Sequence, residues 1–251
     1  MVVKIAVANN KGGPAKTETV KRLGYAFASM GYQVTLLDLD GQANLSDALG
    51  ADDASPTMSQ VLDGKCELVD ALRIIELTGG RRLCLVRADD ELNDTADDLV
   101  SKPLGILRLK QAFERCPDAH LGQIVLMDCP PNLGTLTFSA FIAATHVLIP
   151  AMPLAHSIKG VGRVLAKLEE VKQGLGHQPT VLGTLATMVR KNIKHDEGIA
   201  MLTAMDLPLL GQIPLCDAQY ADGVLNAAYG YIAQLLAMRL ALTPAGRVSH
   251  E

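Results

Sequence analysis

Two kinds of hydrophobic pattern alternate along the chain. Short unbroken runs of Val, Ile, Leu and Ala occupy residues 2–8, 34–39, 83–86, 124–127, 146–149, 181–188 and 209–213. Runs of this kind suit strands covered on both faces, since a strand with one wet face alternates apolar and polar positions. Longer helix-like stretches lie between them, at 16–30, 67–77, 104–115, 133–144, 158–175, 196–205 and 218–242. Strand–helix alternation over the whole length predicts an α/β fold, a doubly wound and mostly parallel sheet with helices on both faces. No repeat, low-complexity tract or interdomain linker interrupts the pattern; residues 51–56 read as a loop. A single domain over 1–251 is expected.

Composition narrows the field. The 251 residues are 49% apolar, enough for a sizeable core without covalent staples. The formal charge of 23 − 27 = −4 excludes a bulk electrostatic grip on nucleic acid or an anionic membrane, leaving only local patches. With no Trp, five Tyr and four Phe, a base-stacking platform or a ring-lined carbohydrate cleft is disfavoured. Cys66, Cys84, Cys116, Cys129 and Cys216 are odd in number and scattered, without a C-x-x-C pair, so no disulfide framework, zinc site or iron–sulfur site is indicated. Residues 1–10 lack the features of a signal peptide. The late apolar stretch 225–242 is broken by Asn226, Gln234 and Arg239 and reads as a buried or amphipathic helix, not a membrane span. A soluble cytosolic protein is expected.

The chemistry concentrates after the first strand, in Lys11-Gly12-Gly13-Pro14-Ala15-Lys16-Thr17. Glycines between a strand and a helix, followed by Lys and Thr, let backbone N–H groups and the helix N-terminus wrap phosphates. Lys16 then reaches the β- and γ-phosphates and the Thr17 hydroxyl ligates Mg²⁺. The general G-x-x-x-x-G-K-[ST] pattern is not met, because residue 10 is Asn and residue 15 is Ala; the plain alternative is a glycine turn with a lysine in the first helical turn. Two further strand ends point the same way. The second strand closes on Asp38-Leu39-Asp40-Gly41-Gln42 and the fourth predicted run on Met127-Asp128-Cys129-Pro130-Pro131. Ligands of open parallel sheets sit beyond the carboxyl ends of the strands, where carboxylates hold Mg²⁺ and orient water. Singly, each Asp reads as a helix cap; three strand ends together favour a phosphate–metal rim.

Asn10-Lys11-Gly12-Gly13 with Lys16-Thr17 resembles the deviant Walker A loop of the ParA/MinD superfamily, Lys11 matching its additional signature lysine. Leu37-Asp38-Leu39-Asp40-Gly41-Gln42 and Asp128-Cys129-Pro130-Pro131-Asn132-Leu133-Gly134 resemble two further motifs of the short ParA (Soj-type) proteins. Val147-Leu148-Ile149-Pro150, Thr187-Met188 and Gln212-Ile213-Pro214 match weaker landmarks. The resemblance implies a slow ATPase using ATP and Mg²⁺ whose ATP form is a sandwich homodimer. Lys11 would act across the dimer, Lys16 on the phosphates and Asp40 on the hydrolytic water; Thr17, Asp38 and Asp128 would serve the metal. Nucleotide contacts would come from Lys11, Gly12, Gly13, Pro14, Ala15, Lys16, Thr17 and Glu18, with Met188, Arg190 and Pro214 near the base. Three departures stand out. Ala15 replaces a glycine, and at φ > 0 its Cβ costs about 1 kcal/mol. Pro14 removes an N–H, and Glu18 puts negative charge beside the nucleotide, or complements the helix dipole.

The same resemblance implies nonspecific DNA binding and a ParB-like partner protein, hence plasmid or chromosome segregation at a cytoplasmic, nucleoid-associated location. Candidate DNA contacts are Lys159, Arg163 and Lys167, four apart on one helical face, and Lys191 and Lys194 in a cluster with Arg190 and His195. A solvated helix face is the plain alternative for the first group. Leu215 stands where the family carries an arginine after Ile-Pro, and Asp217 follows it, which weakens the DNA case. The 243–251 tail offers only Arg247 as a strong cation, so no membrane helix of the MinD kind is expected. The loop begins at residue 11, so no preceding helix-turn-helix domain is expected. Two further readings are a positioning ATPase for a protein cargo and a nucleotide-binding module that hydrolyses little.

Overall fold

The computed structural model describes residues 2–13, 15–50 and 56–245, with 218–220 in backbone only. In chain order the elements are β1 (Val3–Val7), α1 (Lys16–Ser29), β2 (Val34–Asp38), α2 (Asn44–Ala48), α3 (Met58–Asp63), β3 (Arg73–Leu77) and β4 (Arg81–Val86). There follow α4 (Leu92–Ser101), α5 (Arg108–Arg115), α6 (Asp118–Leu121), β5 (Ile124–Asp128), α7 (Thr135–Ala143) and β6 (His146–Ala151). The last are α8 (Ala155–Leu175), β7 (Thr180–Val189), α9 (Ile193–Thr203), β8 (Leu209–Pro214) and α10 (Ala218–Arg239).

The strands form one eight-stranded sheet in the order β3-β4-β2-β5-β1-β6-β7-β8. Every neighbouring pair is parallel except β3 with β4. The central strands β2 and β5 are buried at every position, as unbroken apolar runs demand of strands sandwiched between helices. Alternation within them divides the core. Ile5, Val7, Leu36, Ile124, Leu126 and Leu148 face a layer containing Leu23 and Phe27 of α1 and Tyr229 and Leu236 of α10. Ala6, Leu37, Val125, Met127, Val147 and Ile149 face the opposite layer, with Leu99 of α4, Phe113 of α5, Phe141 of α7 and Val164 of α8. The expected doubly wound fold is what the structure shows.

One predicted helix is corrected. Residues 67–77 form a 3₁₀ turn at Leu68–Ala71 and then the edge strand β3. Its burial alternates along Arg73-Ile74-Ile75-Glu76-Leu77, and the two glycines beyond it, Gly79 at φ 80° and Gly80 at φ 71°, turn the chain into β4. Positive φ at adjacent positions is cheap only for glycine, so Gly-Gly between two short runs is the hairpin signal that outweighs a helical reading. The prediction also passed over α4, where Leu92, Ala96 and Leu99 are buried at helical spacing beneath an acidic outer face.

Candidate functional site

Three strand ends meet at the middle of the sheet. Asp38 closes β2 directly beside Asp128, which closes β5, and Asp128 in turn pairs with Val7 at the end of β1. The backbone past each strand stays tied: Leu39 N–H donates to the Asp128 carbonyl at 3.0 Å and Cys129 N–H to the Val7 carbonyl at 3.2 Å. The loop from β1 to α1 therefore opens onto the same rim as the two carboxylates, at the crossover point where α/β sheets bind ligands.

Within that loop Gly13 has φ 92° and Ala15, the residue capping α1, has φ 58° and ψ 39°. Ala15 does keep the left-handed conformation, so its Cβ carries the cost that glycine would avoid, about 1 kcal/mol. Strain recurs nearby: Ala43, turning from Asp40 into α2, has φ 52°, and Met188 near the end of β7 has φ 53°. Backbone strain in non-glycine residues concentrates at functional sites. Lys16 is buried, and its Nζ donates to the Lys11 carbonyl at 3.2 Å, closing the loop around the lysine. Burial holds the Lys16 ammonium below its ordinary range, and the charge of Asp128 offsets part of that.

The carboxylates are arranged unequally. Asp38 Oδ2 accepts from the N–H and the hydroxyl of Ser46 at 2.9 and 2.8 Å, and Oδ1 accepts from Asp40 N–H at 3.1 Å. Burial nevertheless lifts its pKa to about 6, these hydrogen bonds and the neighbouring Asp40 charge being the lesser influences. Asp128 is 1% exposed, and neither of its oxygens makes a well-formed hydrogen bond. Burial first, and then the charge of Asp38, pushes Asp128 well above the usual carboxylate range; the Thr17 hydroxyl and Lys16 beside it offset only part of the rise. Unpartnered buried carboxylate oxygens are expensive and fit a cation with its water shell. Among the described residues no three His, Cys, Asp or Glu side chains gather into a metal cage. Two strand-end carboxylates suit Mg²⁺, which takes one or two carboxylates and fills its remaining positions with water and phosphate oxygens.

Gly12, Gly13, Ala15, Lys16, Thr17, Glu18, Asp40, Met188 and Pro214, nine of the residues singled out from the sequence, line a single cavity of about 650 Å³. Asp38 and Asp128 are buried and do not line it, though Lys16, which does, feels the charge of Asp128; Lys11, exposed, directly precedes the lining residue Gly12. Pro14 lies outside the described residues. Arg190 falls elsewhere, in an adjoining groove with Met152, Leu154, Ile193 and Lys194. The far wall of the cavity is apolar: Ile213 and Leu215, at the Ile-Pro landmark, are joined by Cys216, Leu225 and Tyr229, which the sequence does not mark as site residues. Position along the chain gives no local cue for these residues, since the apolar pattern of α10 reads simply as core.

Glu18 does not stand alone beside the cavity. Lys21 Nζ lies 2.8 Å from it and Arg22 Nε 2.5 Å; although burial opposes ionisation, the two cations hold its carboxyl below the usual range.

The candidate DNA contacts divide. Lys159 and Arg163 are exposed on α8, but Lys167 pairs with Glu170 at 2.6 Å and lies 5.1 Å from the centre of the Phe138 ring. Lys191 and Lys194 are exposed around the start of α9, with Arg190. His195 is not part of that surface: it is 5% exposed, and its Nδ1 accepts from Arg190 N–H at 3.2 Å. No helix among the described residues is long and apolar enough to cross a membrane.

Comparison with known proteins agrees with this geometry. Residues 2–180 match the model of a family described as an AAA domain. The chain is 33% identical over 198 residues to the chromosome partitioning protein ParA of Caulobacter vibrioides, spanning 78% of this chain and 73% of that protein. It is 32% identical over 185 residues to the sporulation initiation inhibitor protein Soj of Bacillus subtilis, spanning 74% and 72%. A crystal structure titled cobyrinic acid a,c-diamide synthase, from Mycobacterium smegmatis with bound ADP and magnesium, superposes with a TM-score of 0.82 at 31% identity, covering 96% of each chain. With the loop, the two strand-end carboxylates and the sheet order all in place, this chain belongs to the ParA/MinD superfamily of P-loop ATPases.

Proposed function

We propose that this protein is a ParA-type switch. It binds ATP with Mg²⁺, pairs face to face with a second copy, binds DNA without sequence preference in that state, and segregates a plasmid or chromosome with a ParB-like partner that stimulates slow hydrolysis. The observation that carries the reading is the rim itself: Lys16 beside the unpartnered carboxylate of Asp128, at the junction of three strand ends. The bound ADP and magnesium of the similar Mycobacterium protein support it.

In this reading the α1 N-terminus and the glycine-bearing loop receive the phosphates, and Lys16 leaves the Lys11 carbonyl to reach them. Thr17, Asp38 and Asp128 would hold Mg²⁺. The ion supplies positive charge where the transferred phosphoryl group needs it. Asp40, at the cavity wall and anchored by its own N–H to Asp38, orients the attacking water. Lys11, exposed at the rim, acts on the partner's nucleotide, so that hydrolysis requires pairing. Met188 and Pro214 flank the base at the apolar end; Arg190, in the next groove, approaches only its edge. Lys159, Arg163, Lys191 and Lys194 contact DNA phosphates, with Lys167 contributing less because Glu170 already occupies it.

The test is binding of random-sequence duplex DNA with ATP–Mg²⁺, ADP–Mg²⁺ or no nucleotide, at low and moderate salt. ATP-dependent binding that falls steeply with salt is expected, since only a few phosphate contacts are available. The pairing of Lys167 favours a second reading, in which the ATP switch positions a protein cargo. ATP-dependent dimers that ignore DNA in every condition would select it.

A further inference from the structure

The far wall of the cavity is fastened to the helix that carries the phosphate loop. Asp222, Leu225, Asn226 and Tyr229 stand at i, i+3, i+4 and i+7 of α10 and so form one stripe. Leu225 and Tyr229 line the cavity. The other two meet Arg22 of α1: its terminal nitrogens donate to Asn226 Oδ1 and Asp222 Oδ1, each at 2.7 Å. The same guanidinium donates through Nε to Glu18 at 2.5 Å. One helical turn nearer the loop, Thr19 Oγ1 and the Tyr229 hydroxyl are hydrogen-bonded at 2.9 Å, both residues buried. Glu18 follows Thr17 directly and itself lines the cavity, so a single planar cation joins a cavity residue on α1 to the α10 wall opposite. A guanidinium suits this task because its donors point in fixed, divergent directions.

We infer that Arg22 is a positioning residue for nucleotide binding, a latch that holds α10 against the base end of the cleft through Glu18 on one side and Asp222 and Asn226 on the other. The inference rests on the ATP reading of the cavity. It also gives the unusual Glu18 a purpose: a carboxylate beside the phosphates is tolerated because Lys21 and Arg22 balance it, and its hold on Arg22 transmits the position of α1 to the wall. The ends of the cleft respond differently to the latch. The loop, Lys16 and the strand-end carboxylates hold phosphates without help from α10, whereas the apolar pocket for a base exists only while Leu225 and Tyr229 are held in place. The Asp222 arm is the weaker one, since that side chain is 87% exposed and solvent screens it.

The experiment compares two probes, ATP and inorganic tripolyphosphate, both with Mg²⁺, by calorimetric titration of wild type, Arg22→Ala, Asp222→Ala and the double variant. Arg22→Ala is expected to weaken ATP about tenfold and Asp222→Ala about threefold, with tripolyphosphate within about twofold of wild type in each. The double variant should be no weaker than Arg22→Ala alone, because both remove one arrangement. Should Arg22→Ala fold poorly, Asp222→Ala, altered at an exposed side chain, carries the test. Equal losses for both probes, no loss for ATP, or additive losses in the double variant would overturn the latch while leaving the ATP reading intact. Failure of wild type to bind ATP at all would overturn the reading and the latch together.

Discussion

The two ends of the cleft are built in opposite ways. The phosphate end comes from chain-local junctions: a strand, a loop and the first turn of a helix within residues 3–19, joined by two single residues at neighbouring strand ends. Its polar groups are under tension, with Lys16 and Asp128 buried and the Asp128 oxygens unpartnered. The end proposed for the base is assembled from β7, β8 and α10, some 170–230 residues downstream, and is mostly apolar, with a buried hydroxyl pair closed between Thr19 and Tyr229. The two ends store different kinds of energy. Charge that the fold cannot satisfy alone waits for a ligand that brings phosphate and a cation. Apolar surface and a latch supply the remaining grip and its adjustment.

The sharpest way to break this comparison is at Lys16. Lys16→Ala removes the buried ammonium proposed to meet the phosphates and takes a compensating cation from Asp128. ATP affinity should fall by at least about a hundredfold, the scale of losing a buried charge partner, while duplex or protein binding that needs ATP disappears with it; nucleotide titration checks both. Next comes Lys11→Ala. Lys11 is exposed and gives only its carbonyl to the loop, so ATP binding should change less than about threefold. Turnover, measured as phosphate release, should drop by about a hundredfold or more, as it does when a cation supplied in trans to phosphoryl transfer is removed. Unchanged turnover in that variant would defeat the face-to-face dimer.

A subtler contrast is available at Asp128. Replacing Asp128 by Asn removes a buried carboxylate that Thr17 and Lys16 only partly offset and relieves its repulsion with Asp38. The nucleotide-free protein should melt a few degrees higher, while Mg²⁺-dependent ATP binding weakens; a gain in stability paired with a loss of function is the signature. A lower melting point without ligand would mean that Asp128 is a structural partner of Lys16 and not a metal residue. The smallest expected effect is at the loop. Ala15→Gly releases a left-handed alanine at the expense of a freer unfolded chain, so stability should shift by no more than about 1 kcal/mol, toward the more stable side. Denaturant titration resolves a shift of that size.

The same division explains what could be read from the chain. The β1–α1 loop, Asp38, Asp40 and Asp128 were legible because each follows a short buried strand, and strand ends of a parallel sheet have only one rim to share. Even the left-handed Ala15 was foreseeable, from a missing glycine where the loop turns. Leu225 and Tyr229 were not legible: their pattern says only that α10 is partly buried, and what they face depends on how α10 packs against α1. Arg22 was equally silent, since a lysine–arginine pair at the second turn of a helix looks like a solvated face until Asp222 and Asn226 arrive. The hairpin at β3 was missed for the reverse reason: its cue, Gly79-Gly80, is local, but the apolar spacing before it competes as a helix.

The central claim is that the three-strand rim is an ATP–Mg²⁺ site. Calorimetric titration of the wild-type chain with ATP tests it most directly, run once with Mg²⁺ and once with the ion chelated. Saturable binding that weakens at least about tenfold without Mg²⁺ is the predicted result, because Asp38 and Asp128 then repel the phosphates instead of gathering a cation. Binding of equal strength in both conditions, or none in either, would contradict it.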